Sequence, residues 1–143
     1  MKRSHRIPMQ LRAAYLSMHR QTNAHLASLR ITADQFVCFT ILCEENGIIQ
    51  KELVQRATSD ANTIRAMLIL LEKQNLVTRK PHPQDNRARI VSITDKGRRI
   101  TSKAISLLEP VRKQIEDHLT ETRAKNLNNL LQTVSEAIDG LMI

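Results

Sequence analysis

The sequence predicts a mainly α-helical fold carrying one small β-hairpin, and three observations predict it. Aromatic residues make up 2% of the 143 residues and glycine supplies 3, so a core has to come from Leu, Ile, Val, Met and Ala, the make-up of packed helices. Apolar residues recur at helical spacing, with capping signals between them, along most of the chain. One stretch breaks that rhythm. From Thr78 to Thr94, extended β-branched runs flank the turn formers Pro81, Pro83, Asp85 and Asn86, which reads as a projecting hairpin. A chain of this length is expected to form a single domain, residues 1–143.

The first helix is expected from Pro8, well placed at a first helical position, to about Leu29. Leu11, Tyr15, Met18, His25, Leu26 and Leu29 mark its apolar side. Thr32-Ala33-Asp34-Gln35 has the form of a capping box, in which hydroxyl and amide satisfy each other's backbone donors. It opens a second helix that supplies Phe36, Phe39, Ile41 and Leu42 to the core and stops at Gly47. A short helix from about Gln50 to Ala57 follows, with Leu53 and Val54 inward. After Thr58-Ser59, Asp60 is a good N-cap for a longer helix to about Gln74, in which Ile64, Met67, Leu68 and Leu71 keep helical spacing. Asn75 fits the left-handed position after it.

A short helix, a tight turn, a capped longer helix and a hairpin form the order of a winged helix-turn-helix. Beyond the hairpin, Thr94-Asp95 caps a helix expected to run to about His118, kinked at Pro110, with an apolar seam of Ala104, Leu108, Val111 and Ile115. Thr120 caps a last helix bearing Leu127, Leu130, Leu131, Val134, Ile138 and Leu141. The first and last helices hold more apolar surface than a small winged domain covers. The expectation is therefore a winged core at about 32–98, with residues 1–30 and 99–143 as dimerisation helices; packing of those helices within one chain is the alternative.

Charge points to a polyanion. The formal net charge is +8, carried unevenly: 6 basic and 3 acidic residues in 1–46, 11 and 5 in 47–99, 5 and 6 in 100–143. The cationic third contains the expected helix-turn-helix and hairpin, as a nucleic-acid binder requires. Arg87 and Arg89 fall on or beside the hairpin tip, where they suit the electronegative minor groove of DNA. No apolar run approaches the ~20 residues of a membrane span, and the basic start lacks the apolar segment of a secretion signal, so a cytoplasmic protein is expected. Cys38 and Cys43, five apart, project about 140° apart on one helix and cannot pair there, which reads as two buried thiols, with redox sensing as the alternative.

From about Ile31 to Ile100 the chain resembles the MarR family of bacterial transcriptional regulators. The likeness starts at I-T-A-D-Q-F, similar to that family's LT-x-x-Q-F, and continues through K-E-L-V-Q-R, L-L-E-K-Q-N-L-V-T-R and P-H-P-Q-D-N-R-A-R. It ends at V-S-I-T-D-K-G, similar to the family's vsLTekG. The resemblance implies a homodimer on double-stranded DNA at a pseudo-palindromic operator, usually a repressor, often released by a small anionic or phenolic effector. It implies that the helix opened by Asp60 is the recognition helix, with Asn62, Arg65, Ala66 and Ile69 on one outward face and Thr63 beside them. Asn62 then suits adenine and Arg65 guanine, while Thr63 reaches a phosphate or a base. Gln50 and Lys51 are implied phosphate contacts, Arg87 the minor-groove residue, and Asp85 the carboxylate that orients a wing arginine, with Arg89 as its expected partner.

This chain departs from the family in places. Thr58 and Asn75 stand where glycine is usual, Ala66 where a basic residue is usual, and Ile69 and Leu70 where charges are usual. An exposed patch, tighter internal packing, or contact with thymine methyls would each account for that apolar pair. Arg12, Tyr15 and His19 are the effector candidates on the first helix, with Cys38 lining the same space; an interface and core without a ligand is the other reading. His5, His19, His25, His82 and His118 are scattered with no metal-ligand spacing, so no metal site and no cofactor is expected. No phosphate loop or nucleophile–base pair is visible, which argues against an enzyme. The rival functions are a winged-helix protein-interaction module and a non-specific nucleic-acid binder.

Overall fold

In the computed structural model, residues 2–141 are described. The chain divides after Leu108 into two compact units. The first contains α1 (Arg3–Leu26), α2 (Ala33–Glu44), β1 (Ile48–Ile49), α3 (Gln50–Arg56), α4 (Ala61–Lys73), β2 (Val77–His82), β3 (Asp85–Ile93) and α5 (Asp95–Leu107). The second contains α6 (Glu109–His118) and α7 (Glu121–Asp139). A mainly helical fold with a small sheet is what the sequence predicts.

Local chemistry sets most boundaries. Thr32 and Gln35 form the expected capping box: the Gln35 amide donates to Thr32 Oγ1 at 3.1 Å, and the Thr32 amide donates to Gln35 Oε1 at 3.0 Å. The next free amide, on Ala33, donates to Asn23 Oδ1 at 2.7 Å and ties the start of α2 to α1. Asp60, Thr94 and Thr120 cap α4, α5 and α7 through the amides of Thr63, Gly97 and Arg123. Asn75 follows α4 in the left-handed region at φ 61°, as expected. Thr58, in the turn between α3 and α4, takes φ 51°, a conformation that a β-branched residue adopts only under strain.

Three expectations need correction. Helix α1 begins at Arg3, and Pro8 lies inside it rather than at its start, removing one donor from an early turn. It ends at Leu26 in a 3₁₀ turn, Ala27–Leu29, closed by Arg30 at φ 57°. The helix expected from Thr94 to His118 is broken rather than kinked: α5 stops at Leu107, and Pro110 sits in the first turn of α6, where a missing donor costs nothing. The hairpin is part of a three-stranded antiparallel sheet of order β1-β3-β2. Its strands reach His82 and Asp85, so Arg87 and Arg89 lie on β3 itself.

The core belongs to the first unit. Leu26, Phe39, Leu42, Leu53, Ile64, Leu68, Leu71, Val77 and Val91 are fully or nearly fully buried, joined by Ile48, Leu76 and Ile93 from the sheet end. Ile48 pairs with Val91 and Val91 with Arg79, so this cross-strand row carries the core face of the sheet outwards to an arginine. Gly97 fits α5 closely: a Cβ there would strike the Leu76 carbonyl oxygen and the Ile93 side chain. In the second unit α6 and α7 have no buried residue; Leu127, Leu130, Leu131 and Ile138 stand exposed on α7.

Candidate nucleic-acid interface

Helix α4 hangs on its cap. Asp60 accepts from the Thr63 amide and from the Thr63 hydroxyl, both at 2.8 Å. Those bonds, the amide's first, hold the Asp60 carboxyl below its ordinary pKa. Ile64, Leu68 and Leu71 anchor the inner side of the helix in the core, which leaves Asn62, Thr63, Arg65 and Ala66 exposed on its first two turns. Ile69, expected on the same outward face, is half-buried instead.

Ile69 is half-buried because it lines a cleft of about 680 Å³ between α3, α4 and the wing. Lys51, Arg65, Arg79, Arg87 and Arg89 converge on this cleft with Asp85 as the single acid, while Ile49 and Val54 contribute apolar lining. Gln50 and Lys51 at the start of α3 reach it, so α3, α4 and β3 together gather the charges that are scattered in sequence. Cationic lining over an apolar floor is suited to phosphate oxygens and sugar edges.

The wing arginines differ. Arg87 has its side chain 95% exposed, yet Asp85 Oδ1 accepts from its backbone amide at 3.0 Å and lies 3.5 Å from its Nε. The arginine that Asp85 holds is therefore Arg87, not Arg89. Two acceptor contacts within a two-residue step aim the Arg87 stem without covering its guanidinium.

Arg79 is a residue that sequence reading missed. Its side chain is only 18% exposed and pairs with Glu72 Oε1 at 3.2 Å, while its backbone amide donates to Glu72 Oε2. Its Nε and Gln50 Oε1 are buried without a hydrogen-bond partner, and both residues line the cleft. The alternation along β2, which puts Val77 and Arg79 on one face, was the signal that could have found it.

The effector candidates are only partly gathered. Tyr15 and His19 stack at a centroid distance of 5.5 Å on α1. Tyr15 also borders a cavity of about 390 Å³ lined by Asp34, Val37, Thr58, Ser59 and Met67, but Arg12, His19 and Cys38 do not line it. Cys38 is fully buried, with Sγ 3.6 Å from Met67 Sδ, and burial first, the Asp34 charge second, push its thiol up to about 11. Among the described residues no three His, Cys, Asp or Glu side chains gather at a metal-sized point, and no single helix is long and apolar enough to cross a membrane.

Residues 31–88 match the model of the MarR family. Over that stretch, which holds the winged part, the chain is similar to the MarR family. Among curated proteins of similar length, the organic hydroperoxide resistance transcriptional regulator of Bacillus subtilis is 27% identical over 95% of this chain and 94% of its own. The HTH-type transcriptional regulator MgrA of Staphylococcus aureus is 26% identical over 97% of each. Among solved structures, the transcriptional repressor CouR on a 23-mer DNA duplex superposes with a TM-score of 0.84 at 26% identity, covering 92% of this chain and 94% of that one. A MarR variant from E. coli with operator DNA gives 0.81 at 27% identity over 90% and 94%. The proteins this chain is similar to are transcriptional regulators, and the chain has the winged helix-turn-helix its sequence predicts.

Proposed function

We propose that this chain acts as a MarR-type regulator, a cytoplasmic homodimer that represses transcription at a pseudo-palindromic operator and is released by a small anionic or phenolic ligand. One observation carries the DNA-binding part. The exposed first turns of α4, the arginine-lined cleft and the solvent-directed Arg87 share one side of a single winged unit. The two neighbours solved on duplexes support it.

In this reading the winged core, about residues 32–98, binds DNA and residues 1–30 and 99–143 pair two copies. Ile7, Met9, Tyr15 and Met18 on α1, with Leu127, Leu130 and Ile138 on α7, are too many exposed large apolar side chains to remain in water. A dimer sets two α4 helices about 34 Å apart, in successive major grooves. There Asn62 pairs with adenine and Arg65 with guanine, Thr63 and Ala66 flank them, and Gln50, Lys51 and Arg89 meet the backbone. Arg87, steadied by Asp85, enters the flanking minor groove. Tyr15 and His19 are the side chains that meet the effector, and Arg12 and Cys38 adjust around them.

Fluorescence anisotropy on the intergenic duplex beside the protein's own gene, near 150 mM salt with unrelated duplex as competitor, tests this. A site-specific regulator prefers its site by roughly a thousand-fold or more. Equal loss to any competitor would reduce the protein to a non-specific binder, and no binding to an interaction module.

A further inference from the structure

Helix α4 has two unlike flanks. Ala61, Arg65 and Ile69, at spacings of four, line the cleft under the wing. Thr63, Ala66 and Leu70, at spacings of three and four, lie outside that lining on the other side of the outward ridge at Asn62; all three are exposed, Leu70 by 48%. The Thr63 hydroxyl donates its proton to Asp60 Oδ2, which leaves it a methyl and an acceptor lone pair. Thr63, Ala66 and Leu70 thus present three apolar groups and carry no charge of their own, the Asp60 carboxylate adjoining only Thr63. The inner packing of the helix uses Ile64, Leu68 and Leu71, so Leu70 is not a core residue. Ile69 packs against the cleft; Leu70 faces water on a helix otherwise equipped to meet a polyanion.

Resting on the DNA-binding reading above, we propose that Thr63, Ala66 and Leu70 form a stripe that reads thymine C5-methyl groups, the one apolar feature of base edges in the major groove. Seven residues at ~1.5 Å rise span about 10 Å, or about three base-pair steps of ~3.4 Å. Each half-site accordingly carries a run of about three neighbouring methyl-bearing pyrimidines on one strand, beside the pairs read by Asn62 and Arg65.

The test starts from a random-sequence duplex library selected on the wild-type protein. The enriched duplex is then resynthesised with deoxyuridine for thymidine, one position at a time, which removes a methyl and little else. Each methyl in the stripe should be worth about fourfold in affinity, and 5-methylcytosine paired with guanine should recover part of that loss where cytosine does not. Leu70→Ala should erase the thymidine preference at the far end of the run while leaving it at the others. The preference is a ratio within one protein, so a partly folded variant still reports it. Equal binding of thymidine and deoxyuridine throughout, or a preference unaltered by both Leu70→Ala and Ala66→Gly, would overturn the methyl reading alone. A selection that enriches no sequence would overturn the DNA-binding reading and this inference with it.

Discussion

At the scale of residues, charge and its neighbours decide function. Arg87→Ala should weaken binding to specific and non-specific duplexes alike, and should flatten the slope of log affinity against log salt by about one phosphate-equivalent per subunit; a salt titration reads both. Arg65→Ala should instead relax discrimination at one base pair per half-site, costing roughly 1–3 kcal/mol there, as a panel of single-substituted operators would measure. Cys38 gives a pH dependence of opposite sign to the usual carboxylate case. Its thiol titrates near 9.0 when unfolded and about 11 when folded, so the folded state holds its proton longer and stability falls as pH rises between those values. Urea midpoints across that range should decline more steeply for wild type than for Cys38→Ala. Arg65 and Asn62 were legible because the resemblance marked α4 as the recognition helix and helical spacing set them on its outward side, although the same spacing misplaced Ile69. Arg79 was missed although alternation along β2 sets it on the face of Val77; its pairing with Glu72 and its place opposite Val91 show only in the fold.

Elements were legible wherever their ends are made locally. The caps at Thr32, Asp60, Thr94 and Thr120 were all readable because each needs only a side chain and an amide three residues on. Helix α1 carries no such sign: Lys2 makes no side-chain cap bond, and Pro8 drew attention to itself instead. The break at Leu108 was hidden by an apolar seam that continues through it. Strand β1 was invisible because two residues have no alternation to show. The α3–α4 turn offers its own test. A β-branched residue at φ 51° stores strain that glycine would relieve, partly offset by the extra freedom glycine gives the unfolded chain. Thr58→Gly should stabilise the fold by about 0.5–1 kcal/mol in thermal unfolding, whereas Asn75→Gly should gain less, since asparagine tolerates that region.

At the scale of the molecule, the apolar exposure on α1 and α7 determines what the chain is in solution. Leu130, 63% exposed, is a probe that leaves the winged core untouched. Leu130→Glu should shift sedimentation towards monomer and cost on the order of a hundredfold on a two-half-site duplex, with little change on a single half-site, because linked half-sites gain from effective concentration. The short strand β1 bears on how such a dimer is switched. Ile49 is at once a pairing partner of Ile90 and the residue before the first turn of α3, so the wing is stitched to the very start of the helix-turn-helix. A head stitched in this way turns as one piece and has little room to fold its wing aside. For the homodimer proposed above, control then becomes a matter of the gap between two heads, as in a calliper whose jaws keep their shape.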